Sequence, residues 1–301
     1  MNAIQGERVD SLDEPAPAQR APRRLIVTAD DFGADATVND AVIQGHREGV
    51  LTAASLMVAA PAAAQAVALA KATPSLAVGL HLVLVDGRPA LPPVRLSHLV
   101  DAFGVFRHDM ALAGATMFFH PAARRQLAAE IEAQFAAFAA TGLRLDHVNA
   151  HKHFHMHPTI AGLILKIGAR HGLRAARAPV EPPAVIRAVE PRERASADVP
   201  FRAMAGALRR RLRRAGLTVP DQTFGLRWSG AMTAPRLAGL IRHLPPGLSE
   251  IYLHPATVDA YPGSASGYRY RDELAALRAP EVGEAARDSA IALGGFSDFA
   301  A

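Results

Sequence analysis

The chain has 301 residues, half of them apolar, which is enough for one large domain with a sizeable core and excludes a wholly disordered chain. Cysteine is absent, so a disulfide framework, a thiolate metal site and a cysteine nucleophile are all excluded, and any metal must sit on His, Asp or Glu. The formal net charge of +5 comes almost wholly from arginine, Lys71, Lys152 and Lys166 being the only lysines, and charge alone does not choose among nucleic acid, an anionic membrane and no specific partner.

Residues 1–22 carry Glu7, Asp10, Asp13 and Glu14 with Pro15 and Pro17 and lack the apolar stretch of a secretory signal, so they are expected to form a flexible arm ahead of one domain over residues 23–301. Residues 25–29 are a short apolar, β-rich run that stops abruptly at Asp30-Asp31-Phe32-Gly33, as a buried strand does where it meets a polar loop. Helical spacing follows over residues 38–49, with Asn39 near the start and Gly49 at the end, and residues 54–59 are again extended. The uncharged run 50–70 has about the length of a membrane span, but Thr52, Ser55, Pro61 and Gln65 interrupt it, which fits a buried strand followed by a helix. A helix over residues 62–72 leads to a third apolar run, 76–81, that ends on His81.

Strands and helices alternating at this length predict a parallel sheet, open or closed into a barrel, whose chemistry collects at the carboxyl ends of the strands. Asp30, Asp31 and His81 all fall there. Residues 86–120 show Gly and Pro without a sustained period and read as a long excursion over the strand ends, the kind of segment that carries substrate contacts. A helix is expected over 121–141, a strand over 143–149, a helix over 158–171 stopped by Gly172, and a short extended run over 173–178 ending near Arg177. Residues 179–221, rich in proline and arginine, carry no clear period. Residues 250–254 form a strand ending in His254-Pro255, residues 272–278 are helical, and residues 291–299 close the fold.

The chemistry is densest at Asn149-Ala-His-Lys-His-Phe-His-Met-His-Pro158, where His151, His153, His155 and His157 recur at every second position. In an extended chain that spacing puts the imidazoles on one face, although they cannot all bind one ion. Taken singly, Asp30-Asp31 reads as a helix cap or turn, and His81 as a core histidine. Their shared location at strand ends, with the histidine run, argues for a metal site, and one carboxylate with two histidines leaves positions open for water and substrate.

Thr28-Ala-Asp-Asp-Phe-Gly33, Val78-Gly-Leu-His-Leu82, the histidine run and Tyr252-Leu-His-Pro-Ala256 together resemble the YdjC-like (ChbG-type) carbohydrate deacetylases over about residues 23–299. Within that family Leu145-Asp-His-Val-Asn149, Phe224-Gly-Leu-Arg-Trp-Ser-Gly230 and the closing Gly294-Gly-Phe296 are most similar to the branch associated with hopanoid biosynthesis. The resemblance implies a distorted, TIM-like (β/α) barrel with long loops over the carboxyl ends of its strands. It also implies one divalent ion, Mg2+ or Zn2+, on Asp31, His81 and His151, with Asp30 as general base and His254 as general acid or oxyanion partner. The implied substrate is an N-acetylated sugar, N-acetylglucosamine linked to a bacteriohopane polyol, with soluble chitooligosaccharides as the alternative. One departure is Asn149-Ala150, where chitooligosaccharide-type members have Asp-Ser; Asn149 can orient an imidazole but adds no negative charge.

Arg177, at the end of an extended run, is a candidate contact for a sugar or acetate oxygen, and otherwise a rim salt bridge. Trp228, Tyr268 and Tyr270 are candidates for either sugar stacking or core. The basic run Arg209-Arg-Arg-Leu-Arg-Arg214 is compatible with anionic headgroups or with a solvated helix face. A cytoplasmic protein, free or peripheral to the inner membrane, is expected, with a homodimer compatible and nucleic acid not expected as a partner. Two other classes share part of the pattern: non-haem iron oxygenases, whose triad is also two histidines and a carboxylate, and basic nucleic-acid or membrane adaptors that merely store metal.

Overall fold

In the computed structural model, residues 22–192, 199–288 and 291–300 are described, so the arm expected over residues 1–22 lies, but for Pro22, outside the described residues. The elements in chain order are β1 (Arg23–Phe32), α1 (Ala36–Glu48), β2 (Ala53–Leu56), α2 (Ala63–Lys71), β3 (Ala77–Leu82), α3 (Met110–Phe119), α4 (Pro121–Ala140), β4 (Val148–Ala150) and α5 (Pro158–Gly168). There follow α6 (Pro183–Val189), α7 (Val199–Arg214), β5 (Gln222–Phe224), α8 (Ala234–Arg242), β6 (Gly247–Leu253), α9 (Tyr270–Arg278), α10 (Pro280–Asp288) and β7 (Ile291–Leu293). Among the described residues no helix is long and apolar enough to cross a membrane.

Every strand pairing is parallel, in the order β4-β3-β2-β1-β6-β5, with β7 on the start of β1. The sheet curls, and the gap between β4 and β5 is spanned by the extended segment after α5. The Val148 N–H donates to Ala175 and the Arg177 N–H to Val148, while on the other side the Thr223 N–H donates to Val180. The result is the parallel sheet expected from the alternation of apolar runs, curled into the distorted (β/α) barrel that the resemblance implies.

Period-two alternation divides the strand residues between the helices outside and the barrel interior. On β1, Leu25, Val27 and Ala29 join the large core beneath the helices, while Ile26 packs inward with Ala53, Ala175, Leu248 and Phe296 to plug the amino end. One layer higher the interior turns polar: Thr28 donates to Glu250 at 2.9 Å, and Ser55 bonds His147 at 3.0 Å. Gly79 is bare in this layer because a Cβ there would lie 2.5 Å from the His147 ring, which accounts for the glycine in Val78-Gly-Leu-His. The top layer holds Asp30, His81, Asn149, Arg177 and Tyr252. An apolar floor thus closes one end, and the polar groups are forced toward the other.

The closing motif earns its place through Asp146, whose carboxylate accepts the Phe296 N–H at 3.1 Å and the Ser297 N–H at 2.8 Å while bonding His147 at 2.9 Å. The Phe296 ring stacks on His147 with centroids 4.2 Å apart. Burial pushes the Asp146 carboxyl up, but the bonded His147 and then the Ser297 N–H outweigh it and bring it down to about 2.

Several local expectations differ from the structure. Asp35 caps α1 through the Thr37 N–H, while Asn39 is fully buried and bonds Gly33, Ala62 and Gln65, tying the loop after β1 to α2. The excursion over 86–120 contains α3, which has no period to detect because Met110-Ala-Leu-Ala-Gly-Ala-Thr-Met-Phe-Phe119 is apolar on nearly every side. The arginine-rich stretch contains α7, fastened to the body by Arg209 on the Asp221 carbonyl, Arg211 on the Pro158 carbonyl at 2.8 Å and Arg213 on the Asp221 carboxylate at 2.7 Å.

Phe296→Ala removes the floor of the barrel and is expected to cost about 3–5 kcal/mol of stability, measured by denaturant titration. Because the Asp146 carboxyl is lowered on folding, its contribution is present above the ordinary carboxylate range and is lost as pH falls through about 2. Asp146→Asn is therefore expected to flatten the loss of stability between about pH 4 and 2.

Candidate active site

The site begins with an irregularity in β1. Pairing with β2 is regular at Ala29↔Ala54 and resumes, shifted, at Phe32↔Leu56. The extra residue is Asp31, whose φ of 64° lies in the left-handed region that non-glycine residues seldom occupy. Strict alternation would point Asp30 inward and Asp31 outward. The bulge turns both carboxylates toward the carboxyl end and returns Phe32 to the outer core. Backbone strain of this kind, roughly 1–3 kcal/mol per residue, persists only where surrounding contacts hold it.

Asp31 meets two histidines from other strand ends. Its Oδ1 lies 3.3 Å from His81 Nε2 and 3.2 Å from His151 Nδ1, and among the described residues these are the groups whose ligand atoms, all within 4.8 Å of one another, could hold an ion. His81 Nε2 is buried without a hydrogen-bond partner, while its Nδ1 is bonded to Asn149 Oδ1 at 2.7 Å. Because the amide oxygen can only accept, Nδ1 carries the proton and Nε2 presents a lone pair to the centre. The donor set therefore fits a divalent cation. Burial pushes the Asp31 carboxyl up, but His151 and then His81 hold it well below the usual range; burial pushes His151 down, but Asp31 and then Asp30 together outweigh it and raise it.

Asn149 does more than orient His81. Its Nδ2 donates to Asp30 Oδ1 at 3.0 Å and to Ser55 Oγ at 2.9 Å, so the chain His81–Asn149–Ser55–His147–Asp146 runs from the candidate ligand His81 to the closing motif. An Asp in its place would accept from His81 but set a second carboxylate against Asp30. The Asn departure seen in the sequence thus serves both groups at once.

Asp30 sits in the most heavily charged part of the interior. Arg177 donates to it at 2.5 and 3.0 Å and to Glu250 at 2.7–3.0 Å, and its guanidinium lies 4.5 Å from the centre of the Tyr252 ring. Burial pushes the Asp30 carboxyl up, but Arg177, then His81 and His254, hold it well below the usual carboxylate range. Arg177 is itself fully buried, so the structure places it beneath Asp30 rather than on the rim, where a sugar oxygen or an exposed ion pair was expected.

The histidine run departs most from expectation. The chain turns at Lys152 and His153, both with left-handed φ near 52°, and residues 151–156 form a 3-10 turn instead of an extended face. The imidazoles therefore diverge. His151 reaches Asp31, His153 bonds the Tyr252 hydroxyl at 2.9 Å, His155 bonds the Arg177 carbonyl at 3.1 Å, and His157 packs near Phe118 on α3. Burial and then Arg177 push His153 well down and His155 to about 3, leaving both rings neutral.

These groups open onto a cavity of about 560 Å³ that also touches His254, Tyr261, Tyr268 and Tyr270. His254 follows β6, beside β1; its backbone N–H bonds Glu273 at 2.5 Å, and its Nδ1 has no partner. Trp228 is core, 3% exposed, whereas Tyr268 and Tyr270 line the cavity. The loop carrying Leu226 and Ser229 into the wall is held by Glu181, which accepts the N–H groups of Gly225, Leu226 and Arg227 at 3.0–3.1 Å; burial still pushes that carboxyl up to about 7. Gly225 has φ 126°, and a Cβ there would lie 2.5 Å from the Tyr252 carbonyl, so the loop can pass this strand end only as glycine. Glu250, Glu273 and Glu181 escaped the sequence reading: each is an isolated acid in an apolar or irregular segment.

A family model described as YdjC-like protein matches residues 24–288. A Geobacillus stearothermophilus protein named carbohydrate deacetylase is 32% identical over 265 residues, spanning 87% of this chain and 91% of that one. A Brevibacillus brevis protein of the same name is 38% identical over 173 residues, and that match spans 58% of this chain and 64% of the relative. The crystal structure of an Enterococcus faecalis V583 protein proposed to cleave cellobiose phosphate superposes with a TM-score of 0.72 at 24% identity, covering 93% of this chain and 100% of that one, a likeness of fold.

If Asn149 sets the His81 tautomer, Asn149→Leu is expected to weaken binding of a divalent ion by roughly 10–100-fold while leaving the fold intact, as read by calorimetric titration with Zn2+. Unchanged affinity would remove Asn149 from the centre.

Proposed function

The chain belongs to the YdjC-like family, and on that footing we propose that it is a metal-dependent hydrolase removing the acetyl group from an N-acetylglucosamine-containing substrate. The observation that carries this reading is the convergence of Asp31, His81 and His151 beside a second carboxylate, Asp30, that its neighbours keep ionised. A divalent ion such as Mg2+ or Zn2+ held by those three residues would polarise the acetyl carbonyl and acidify the attacking water.

The remaining work falls to the chain's own groups. Asp30 accepts the proton of the water, and the paired Arg177 and Asn149 hold its oxygens in one orientation. A carboxylate held this low is a weak base, so it suits only a water already made acidic. His254, at the neighbouring strand end, supplies a proton to the departing amine or steadies the developing oxyanion. Arg177 acts as a positioning residue for Asp30, in place of the sugar contact expected from its position in the sequence. An oxygenase using the same triad would leave Asp30 and His254 without a task, and hydrolysis uses both; a metal-storing adaptor would need neither.

The finer reading is that the sugar is linked to a bacteriohopane polyol and is met in the cytoplasm, at the inner membrane. The wording of the motifs around Asp146, Trp228 and Phe296 supports it. Soluble chitooligosaccharides are the alternative.

Acetate release from N-acetylglucosaminyl bacteriohopanetetrol and from N,N′-diacetylchitobiose separates the two, with release from the lipid glycoside expected to dominate and release from the disaccharide alone pointing to the alternative. Asp30→Asn is expected to lower kcat by roughly 10²–10⁴-fold, and near wild-type turnover would sink the base assignment. His254→Ala is expected to slow hydrolysis of the amide far more than that of 4-nitrophenyl acetate, whose leaving group needs no proton; equal losses would reject the acid role.

A further inference from the structure

Beside the catalytic cavity lies a second hollow of about 510 Å³ between α3, the histidine turn and α7, within the roughly 300–1,000 Å³ usual for small-ligand sites. Its walls are almost wholly apolar, formed by Ala111, Ala115 and Phe118 of α3, Phe154 and Met156 of the turn, and Met204 of α7. Lys152 and His153 line both hollows, so the two adjoin at the turn that carries the ligand His151.

The elements around it look unfinished as a protein surface. On α3, Ala113, Gly114 and Met117 are buried, but Leu112 is 51% exposed, Phe118 45% and Phe119 77%; facing them, Met204 is 47% exposed. Phe118 and Phe119 pack edge to face on each other, and Phe118 on His157, so one side of the cluster is anchored while the other stays open. A contiguous apolar face of this kind marks a binding site rather than scattered surface residues. A free sugar has no use for it, because its hydroxyls would lose water without gaining partners.

We infer that this groove is a subsite for the apolar aglycone of an amphiphilic glycoside whose N-acetyl sugar occupies the metal cavity. The inference rests on the deacetylase reading for the placement of the sugar, and on the shared lining at Lys152 and His153, which sets the two hollows side by side. The groove acts in ground-state binding: it raises affinity for a long aglycone and leaves the reacting atoms alone. Its occupant is one substrate molecule, not the plane of a bilayer.

The test uses the full chain loaded with Zn2+ and a series of methyl, butyl, hexyl and octyl N-acetyl-β-glucosaminides below their aggregation concentrations. Calorimetric affinity is expected to rise by roughly two- to fourfold per methylene. Met204→Asp, and separately Phe118→Asp, are expected to abolish that rise at an unchanged melting temperature. Affinity flat with chain length, or a rise that survives both substitutions, overturns the subsite. So does a gain that appears only when anionic vesicles are added, which would assign the face to a membrane surface. Acetate release from the methyl glycoside reports separately on the catalytic reading: a chain-length effect on binding without any acetate leaves the groove standing and removes the deacetylase.

Discussion

The interior of this barrel is organised around one buried cation. Arg177 is fully shielded from water, and its guanidinium is shared between Asp30 on β1 and Glu250 on β6. A buried charge is tolerated only when its donors are satisfied, and removing one member of such a group typically costs about 3–5 kcal/mol because its partners are left uncompensated. Arg177 therefore joins the segment that spans the gap in the sheet to the paired strands β1 and β6. Thr28 and Thr223 complete the shell around Glu250 at 2.9 and 3.4 Å. Two carboxylates to one guanidinium leave the cluster short of positive charge, and the candidate ligands Asp31, His81 and His151 lie directly above it.

The geometry of the candidate site follows from that arrangement. Asp30 faces Arg177 below and Asn149 beside it, which fixes the direction of its oxygens. Asp31, displaced by the bulge, is free to face the imidazoles of His81 and His151. The two adjacent acids can take different tasks because their surroundings differ: one is locked to a guanidinium and the other lies between two imidazoles. Beneath both, the chain from Asn149 through Ser55 and His147 to Asp146 ties the centre to the floor set by Phe296. Phe296 and the candidate ligand His81 thus stand at the two ends of one hydrogen-bonded chain.

The parts legible in the sequence were those that end a regular pattern. Apolar runs that stop at Asp30, His81 and His254 marked strand ends, and parallel strands collect those ends at one mouth. The parts that stayed hidden depend on broken patterns or distant partners. Left-handed backbone at Lys152 and His153 sends four alternating imidazoles to four different neighbours. Nothing local in Leu173-Arg-Ala-Ala-Arg177 reveals that its last side chain meets Glu250, which lies 73 residues away. α3 has no hydrophobic period because nearly all its faces are apolar, and the same property that hid it from the pattern shapes the groove beside the site.

The proposed chemistry requires that one divalent ion bind Asp31, His81 and His151 while Asp30 remains outside its coordination sphere. Anomalous scattering from crystals of the protein loaded with Zn2+ tests it most directly. A single strong site is expected, with His81 Nε2, His151 Nδ1 and an Asp31 oxygen as ligands and Asp30 still paired to Arg177. An ion seated among His153, His155 and His157, or one that draws Asp30 away from Arg177 into direct coordination, would contradict it.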